Sequence, residues 1–333
     1  LQLLRIAQEA PDNIARYAEG ARRARVLLQR LSGEAGEHLR LAVGDDGMGS
    51  LRIPAAACGI VTIKPGPGVV PTRLSGDNWG RLAESGPLAR TVGDAALALS
   101  VMSGRPELAA VGRVPRGTRV GLSTTSPIRL GVDLVPVREP WRRAAREAAD
   151  LLRADDLVVV DTTLPSPRDP VLYLARWTSA VARAAEEENL PLSAMERRTR
   201  HHALLGRTVF RRGGAGDGDT RWNRGVEALR TDVERAMATA GVDVWLTPAL
   251  ADVPPEATEW HRRSWGRSLW ASMRFSPFTP LANVLGWPAM TVPCGRTHTP
   301  LGRVLPTSVQ LVGRPGSEAT LLALAAAVER GGA

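Results

Sequence analysis

Residues 44–65 read GDDGMGSLRIPAAACGIVTIKP, and this stretch decides how the chain is interpreted. Ser50 follows a glycine-rich turn and directly precedes Leu51 and Arg52. Glycines allow successive backbone N–H groups to point to one side, which forms a concave site for an anion. Such a site beside a serine hydroxyl indicates acyl-transfer chemistry, because it can stabilise the oxyanion of a tetrahedral intermediate. Lys64, in the same stretch, is the only lysine in the 333 residues.

The serine needs a partner that takes its proton, because a free hydroxyl is a poor nucleophile. The turn is not the G-x-S-x-G elbow of α/β-hydrolases. None of the five histidines lies in a recognisable Ser-His-Asp pattern: His38, His201, His202, His261 and His298. On spacing alone, a plain glycine turn remains the alternative to a catalytic serine.

The composition excludes several classes of function. With 44% hydrophobic residues the chain can bury a sizeable core. The formal net charge of +9 comes from arginines spread along the chain, without a K/R block or a zinc-finger signature. This distribution is typical of solvated helix faces, so we expect no nucleic-acid partner. No spacing typical of metal ligands occurs, and we expect neither a metal nor a cofactor.

The cysteines and the apolar runs bear on the cellular compartment. Cys58 and Cys294 lie in the apolar segments AAACGIV and TVPCG, so we expect buried, reduced thiols. The adjacent His201 and His202 lie in an arginine-rich segment, which favours solvated side chains over a metal site. No run has transmembrane length and no secretory signal is recognised, so the sequence predicts a cytoplasmic protein with no membrane contact.

Hydrophobic periodicity divides the chain into alternating helices and strands. Helical patterns cover 12–32, 91–103, 138–154, 170–205, 222–240 and 317–330. Strand patterns cover 39–43, 119–123, 157–163, 242–248, 289–293 and 308–313. Thr91 and Ser317 are the predicted N-caps of their helices, residues 157–163 are predicted to be a buried strand, and the glycine-rich segment 211–221 is predicted to be a flexible loop. The strand–helix–strand order between 119 and 163 indicates a parallel or mixed α/β sheet.

Five blocks of the sequence resemble those of the amidase signature family. Residues 44–65 resemble its signature segment, G-[ST]-D-x-G-G-S-[IL]-R-x-P-A…C-G-[IVL]-x-G-[LI]-K-P. Similar blocks follow in order: ESGPLARTVGDAALALSVMSG (84–104), VDVWLTP (242–248), FTPLANVLGWPAMTVP (278–293) and VQLVGRPGSEATLLALA (309–325). The resemblance implies an α/β fold in which helices cover both faces of a mixed, twisted β-sheet. The sequence shows no clear domain boundary, so we expect a single domain overall, in which a divergent N-terminal helical segment, 1–40, precedes the amidase signature domain, 41–333.

The resemblance also implies an activity and a set of site residues. Ser50 matches the nucleophile that forms the acyl-enzyme, and the backbone N–H groups of Gly47, Met48, Gly49 and Ser50 match the oxyanion hole. Asp46 and Arg52 match the pair that braces this loop. The implied activity is that of an amidase, which hydrolyses the C–N bond of a small-molecule carboxylic amide without a metal or cofactor. A homodimer is compatible with the resemblance.

The chain departs from the family in the groups that activate the serine. In the family, a second serine relays the proton to a lysine, and both precede the nucleophile in the sequence. Residues 1–40 contain no lysine, and Lys64 matches a structural lysine of the signature. Ser32 is the nearest preceding serine, but it lies too close to Ser50 and lacks the glycine context. The alternative is therefore a catalytically impaired or non-catalytic relative of the amidases.

Three further features leave alternatives open. The chain starts at Leu1, which fits a fragment, a misplaced gene start or a truncated relative. Met48 replaces a glycine of the signature, and its side chain either lines the substrate pocket or packs outward. Four tryptophans indicate either an apolar substrate group or ordinary core packing: Trp260, Trp265, Trp270 and Trp287. Cys58 matches a buried cysteine of the signature.

Overall fold

The computed structural model describes residues 28–29, 40–71, 78–130, 133–210, 221–255, 263–299 and 302–332. Its strands are β1 (Leu28–Gln29), β2 (Arg40–Asp46), β3 (Val61–Lys64), β4 (Glu84–Ala89), β5 (Arg119–Leu122), β6 (Arg129–Leu130), β7 (Asp133–Leu134), β8 (Val158–Asp161), β9 (Val244–Pro248), β10 (Ala289–His298) and β11 (Val304–Gly313). Its α-helices are α1 (Arg52–Cys58), α2 (Val92–Ser103), α3 (Glu139–Ala154), α4 (Leu172–Glu187), α5 (Arg197–Leu205), α6 (Arg221–Ala240), α7 (Trp265–Phe275), α8 (Pro280–Leu285) and α9 (Glu318–Gly331).

Nine of the described strands form one mixed sheet in the order β1-β2-β4-β3-β10-β11-β9-β5-β8. β5 pairs in parallel with β8 and β9, whereas the other neighbours in this sheet are antiparallel. The parallel pair β5 and β8 is joined through α3, which is the strand–helix–strand unit that the sequence predicts. The remaining strands, β6 and β7, form a separate two-stranded sheet.

Helices cover both faces of the large sheet, as the sequence predicts. Successive side chains of a strand point to opposite faces, so neighbouring residues join different apolar clusters. In β9, Val244 and Leu246 pack with residues of α2, α3 and α9, whereas Trp245 packs with residues of α4, α6 and α8. In β11, Leu311 belongs to the first cluster and Val312 to the second. The α/β fold class is therefore confirmed.

The ends of the helices test the predicted caps. Thr91 caps α2, because its Oγ1 accepts a hydrogen bond from the backbone N–H of Asp94 at 3.1 Å. Gly104 ends the same helix in the left-handed conformation. Ser317 occupies the predicted N-cap position of α9, but its side chain makes no capping hydrogen bond.

Three predictions about elements need correction or fall outside the described residues. The predicted helix 12–32 is wrong at its end, where Leu28–Gln29 form a strand that pairs with β2; the rest of it lies outside the described residues. The segment predicted as a buried strand, 157–163, forms β8 at the edge of the sheet, with Val158 46% exposed. The predicted loop 211–221 lies outside the described residues except for Arg221, which begins α6.

Within the described ranges, no helix is both long and apolar enough to cross a lipid bilayer.

Candidate active site

The turn that carries Ser50 joins strand β2 to the short helix α1. β2 pairs with β4, with Asp46 opposite Glu84, and α1 begins at Arg52. Gly49, Leu51 and Arg52 around the serine are buried and Met48 is partly exposed, whereas Ser50 itself is exposed. Its Oγ donates a hydrogen bond to the backbone carbonyl of Asp45. The serine hydroxyl is thus the part of a buried turn that solvent reaches.

Gly49 is required by both its backbone conformation and its surroundings. Its φ of +108° lies in the region that residues with a Cβ rarely adopt. A Cβ at this position would also overlap the Oγ1 atom of Thr279. This hydroxyl donates a hydrogen bond to the carbonyl of Met48 at 3.1 Å. Thr279, just before α8, therefore packs directly beneath the serine turn.

Asp46 and Arg52 form a fully buried ion pair, which places the two predicted bracing residues together. Arg52 Nε lies 2.8 Å from Asp46 Oδ2, and Arg52 Nη2 lies 2.9 Å from Asp46 Oδ1. The same carboxylate accepts a 2.6 Å hydrogen bond from the backbone N–H of Gly49. Burial alone would raise the pKa of Asp46, but the charge of Arg52 and the hydrogen bonds from Arg52 and Asn283 outweigh it and lower that pKa. Asp46 is therefore an ionised anchor for the turn.

Two side chains from the C-terminal half complete this network. Asn283 of α8 donates through Nδ2 to Asp46 O at 2.6 Å, to Asp46 Oδ1 at 2.9 Å and to Leu82 O at 2.9 Å. Its Oδ1 accepts from Arg52 Nη2. Gln310 of β11 accepts from Arg52 Nη1 at 2.7 Å and donates to Phe278 O at 3.2 Å. Both side chains are almost fully buried, so each of their hydrogen bonds is shielded from water.

The residue-level sequence reasoning missed these two partners, although a local signal exists for each. Asn283 interrupts the apolar helix PLANVL, and Gln310 interrupts the apolar strand segment SVQLVG. An amide side chain at an interior position of such an element must find a hydrogen-bond partner. The sequence contains no indication that the partner is Arg52, because 231 and 258 residues separate the two amides from it.

The backbone N–H groups of the turn are not equivalent. The N–H of Gly49 donates to Asp46, so it is engaged in this conformation. Gly47, Met48 and Ser50 lie outside the helices and strands, and within the described part of the chain no acceptor meets their N–H groups. Among the described residues, three of the four predicted oxyanion donors therefore have no protein acceptor.

Lys64 lies in the core and not at the serine hydroxyl. Its Nζ donates a 2.9 Å hydrogen bond to the carbonyl of Pro65. Burial and then the charge of Arg52 lower the pKa of Lys64 to about 8, although nearby carboxylates, including Glu84, oppose this shift. Burial in turn raises the pKa of Glu84 to about 7, against the attraction of Lys64. Lys64 therefore contributes to a buried charge cluster behind the Asp46–Arg52 pair.

The prediction of two buried thiols is half wrong. Cys58 is exposed, whereas Cys294 is buried. The buried residues of α1 are Arg52, Ala55 and Ala56, whereas Cys58 is the last residue of the helix and lies one helical turn after the exposed Pro54. Burial, followed by the charge of Glu147, raises the pKa of Cys294 to about 11, so its thiol stays protonated near neutral pH.

The prediction that both histidines of the His201-His202 pair are solvated is wrong for His202. Its Nδ1 accepts a 2.7 Å hydrogen bond from the indole N–H of Trp265, and its ring meets that of Trp177 edge-on at 4.3 Å. His201 is exposed. The contact with Trp265 could not be read from the sequence because α5 and α7 are distant in the chain.

The tryptophans singled out from the sequence have different environments. Trp287 is fully buried, and Trp270 is 52% exposed on α7. Trp265 contacts His202, and Trp260 lies outside the described residues. The tryptophan that contacts the serine turn is instead Trp79, which sequence reasoning did not single out.

Comparisons with known proteins agree with this fold. The family described as Amidase matches residues 35–322. The protein named "Putative amidase AmiB2" of Mycobacterium tuberculosis is 35% identical over 304 residues, which cover 87% of this chain and 61% of that protein. The chain therefore belongs to the amidase family, whose members include the amidase signature enzymes discussed above.

Solved structures support the same assignment. The structure of 6-aminohexanoate cyclic dimer hydrolase complexed with substrate is 27% identical, with a TM-score of 0.72 over 88% of this chain and 64% of that chain. A bacterial aryl acylamidase of the amidase signature family is 22% identical, with a TM-score of 0.65 over 87% of this chain and 62% of that chain, and it supports the fold alone. The chain spans about 60% of the length of the curated relatives that it matches.

Proposed function

We propose that this chain hydrolyses the C–N bond of a small-molecule carboxylic amide through an acyl-enzyme on Ser50. The observation that carries the proposal is the exposed hydroxyl of Ser50 at the end of a buried turn, which Asp46 and Arg52 hold from below. The family assignment supports the same chemistry, since the relatives above are named for hydrolysis of amides.

The proposed reaction has two stages. Ser50 Oγ forms a bond to the carbonyl carbon of the amide while its proton passes to a base, and the carbonyl oxygen becomes an oxyanion. The C–N bond then breaks, and the amine leaves with a proton. A water molecule adds to the resulting ester, the Oγ–acyl bond breaks, and the carboxylic acid is released with the serine hydroxyl restored.

Stabilisation of the oxyanion falls to the backbone of the turn. Gly47, Met48 and Ser50 supply the N–H groups that are open to a bound anion, while the N–H of Gly49 keeps Asp46 in place. Removing one donor of this kind typically raises a barrier by about 3 kcal/mol. The Asp46–Arg52 pair would act indirectly, because it holds these donors in one orientation before the substrate arrives.

A second candidate function is binding of amides without turnover. One observation favours it: Lys64, the only lysine, is fully buried and donates to Pro65 O, so it does not serve as the base of Ser50 in this conformation. Ser32, the other weak candidate for proton transfer, lies outside the described residues. The two candidates differ in whether Ser50 becomes acylated.

Covalent labelling separates the two candidates. A fluorophosphonate probe followed by peptide mass spectrometry should place the adduct on Ser50, and Ser50→Ala should abolish both labelling and amide hydrolysis. The matched control is Ser193→Ala, which removes another exposed serine and should change neither. An unlabelled Ser50 in folded protein, without amide hydrolysis, would favour the non-catalytic candidate. Hydrolysis that persists undiminished in Ser50→Ala would refute the proposed nucleophile.

A further inference from the structure

The segment that brings Trp79 to the serine turn has an unusual backbone. Asn78, Trp79, Gly80 and Arg81 have φ values of 57°, 59°, 66° and 62°. These values describe a left-handed turn, which disfavours residues with a Cβ because the Cβ approaches the following carbonyl oxygen. Three of the four residues carry a Cβ, so the conformation has to be imposed by the surrounding structure.

Two side chains from other elements impose it. Arg176 of α4 donates through Nη2 to the carbonyl of Gly80 at 2.9 Å. Asn283 donates to the carbonyl of Leu82 at 2.9 Å and, with the same amide group, to Asp46. The left-handed turn is thereby tied to the base of the serine turn. Strained backbone of this kind is retained mostly where function needs the side chain in that position.

The ring of Trp79 lies against the serine turn. A Cβ placed on Gly47 would lie 3.3 Å from Trp79 Cε3 and 3.6 Å from Trp79 Cζ3, which is close van der Waals contact. Met48 and Trp79 pack against the same apolar cluster, and both side chains remain partly exposed. Ser50 is exposed two residues after Met48. An indole and a thioether therefore leave apolar surface on the turn that carries Ser50.

We infer that Trp79, assisted by Met48, is a specificity-determining residue that holds an aromatic group of the amide substrate beside Ser50. This inference rests on the proposed function, since it concerns the ligand of the same site. An indole face favours an aromatic ring through offset or edge-on packing, and a thioether beside it adds a polarisable contact. Small polar amides would bury little surface against these two side chains and would be bound less well.

The test measures binding in the absence of turnover. In Ser50→Ala protein, phenylacetamide and acetamide are titrated and followed by NMR. We expect phenylacetamide to bind about tenfold more tightly than acetamide, which is the effect of one favourable aromatic contact plus buried area. Adding Trp79→Ala should remove most of this preference, and adding Trp79→Phe should restore part of it. Adding Trp270→Ala, which removes an exposed ring on α7, should leave the preference unchanged.

The outcomes separate this inference from the proposed function. Because Trp79→Ala could impair folding, Trp79→Gly is tested beside it, since glycine accepts the left-handed conformation. A preference for the phenyl amide that survives in folded Trp79→Gly overturns the inference, and so does the absence of any preference in Ser50→Ala. If the unmodified chain hydrolyses no amide but shows the Trp79-dependent preference, the proposed activity fails and the inference stands. If the chain hydrolyses amides but its substrate preference does not change when Trp79 is replaced, the proposed activity stands and the inference about Trp79 is overturned.

Discussion

Arg52 Nη1 and Gln310 Oε1 lie 2.7 Å apart, although 258 residues separate them in the chain. This contact fastens the start of α1 to the centre of β11, and the ion pair with Asp46 fastens the same guanidinium to the serine turn. Arg52, at the start of α1, therefore connects this helix to the serine turn and to strand β11.

Arg52→Met should strongly destabilise the fold. The substitution leaves the carboxylate of Asp46 buried without its charged partner, which typically costs about 3–5 kcal/mol in the free energy of unfolding. Urea denaturation monitored by circular dichroism measures the loss. The double variant Asp46→Asn/Arg52→Met should recover a substantial part of it, because the unpaired charge is gone.

A surface pair provides the control for Arg52. Arg168 binds both carboxylate oxygens of Asp232 at 2.7 Å, but its side chain is 67% exposed. Water and salt screen such a pair, so Arg168→Met should change the stability little. Equal losses at Arg52 and Arg168 would contradict the importance that we assign to the buried network.

Gly49→Ala should lower the free energy of unfolding more than an alanine substitution at another glycine with a positive φ. Both the backbone conformation and the overlap with Thr279 oppose a Cβ at position 49, and we expect a loss of about 2–4 kcal/mol together with loss of fluorophosphonate labelling at Ser50. Gly316 has a φ of +83° with open space around a Cβ, so Gly316→Ala reports the conformational cost alone, about 1 kcal/mol. Chemical denaturation measures the free energy of unfolding of both variants. Equal losses in the two variants would contradict the prediction.

Trp79→Gly should be more stable than Trp79→Ala. Both variants lose the indole ring, but glycine accepts the φ of 59° at this position without steric cost, which favours it by about 1 kcal/mol. The matched pair at Trp270 should show the reverse order, because this residue lies inside the right-handed helix α7, where glycine is less stable than alanine by about 1 kcal/mol. Thermal unfolding of the four variants tests the difference in sign. The same order at both positions would mean that Trp79 does not adopt the left-handed conformation.

Glu84 should make the protein less stable as the pH rises towards neutrality. Its pKa is raised from 4.5 to about 7, mainly by burial. The folded state therefore binds more protons than the unfolded state between these values, and the stability falls as pH rises through this range. Urea denaturation at pH 5 and pH 7.5 should give a steeper fall for the unmodified chain than for Glu84→Gln. Identical pH dependence in both proteins would show that Glu84 titrates normally.

Local features of the fold were accessible from the sequence, and contacts between distant segments were not. The sequence predicts the helix from Val92 to Ser103 with its cap and its stop, because both signals lie within a few residues of the helix ends. The apolar run predicts the strand at 158–161 but not its exposure, because a run of valines does not reveal whether the strand lies at the centre or at the edge of a sheet. Similarly, the apolar context of Cys58 does not reveal which face of α1 carries it.

The sequence by itself determined the family, the serine turn and the α/β class, because these depend on short motifs and on periodicity along the chain. Only the tertiary structure decided which groups hold the turn and which side chain lies beside it. Asn283 and Gln310 meet Arg52 because α8 and β11 pack next to β2 and α1. Trp79 reaches Gly47 because a left-handed turn is held in place by Arg176 and Asn283. Such relationships arise when distant segments are packed together, and no local pattern of residues specifies them.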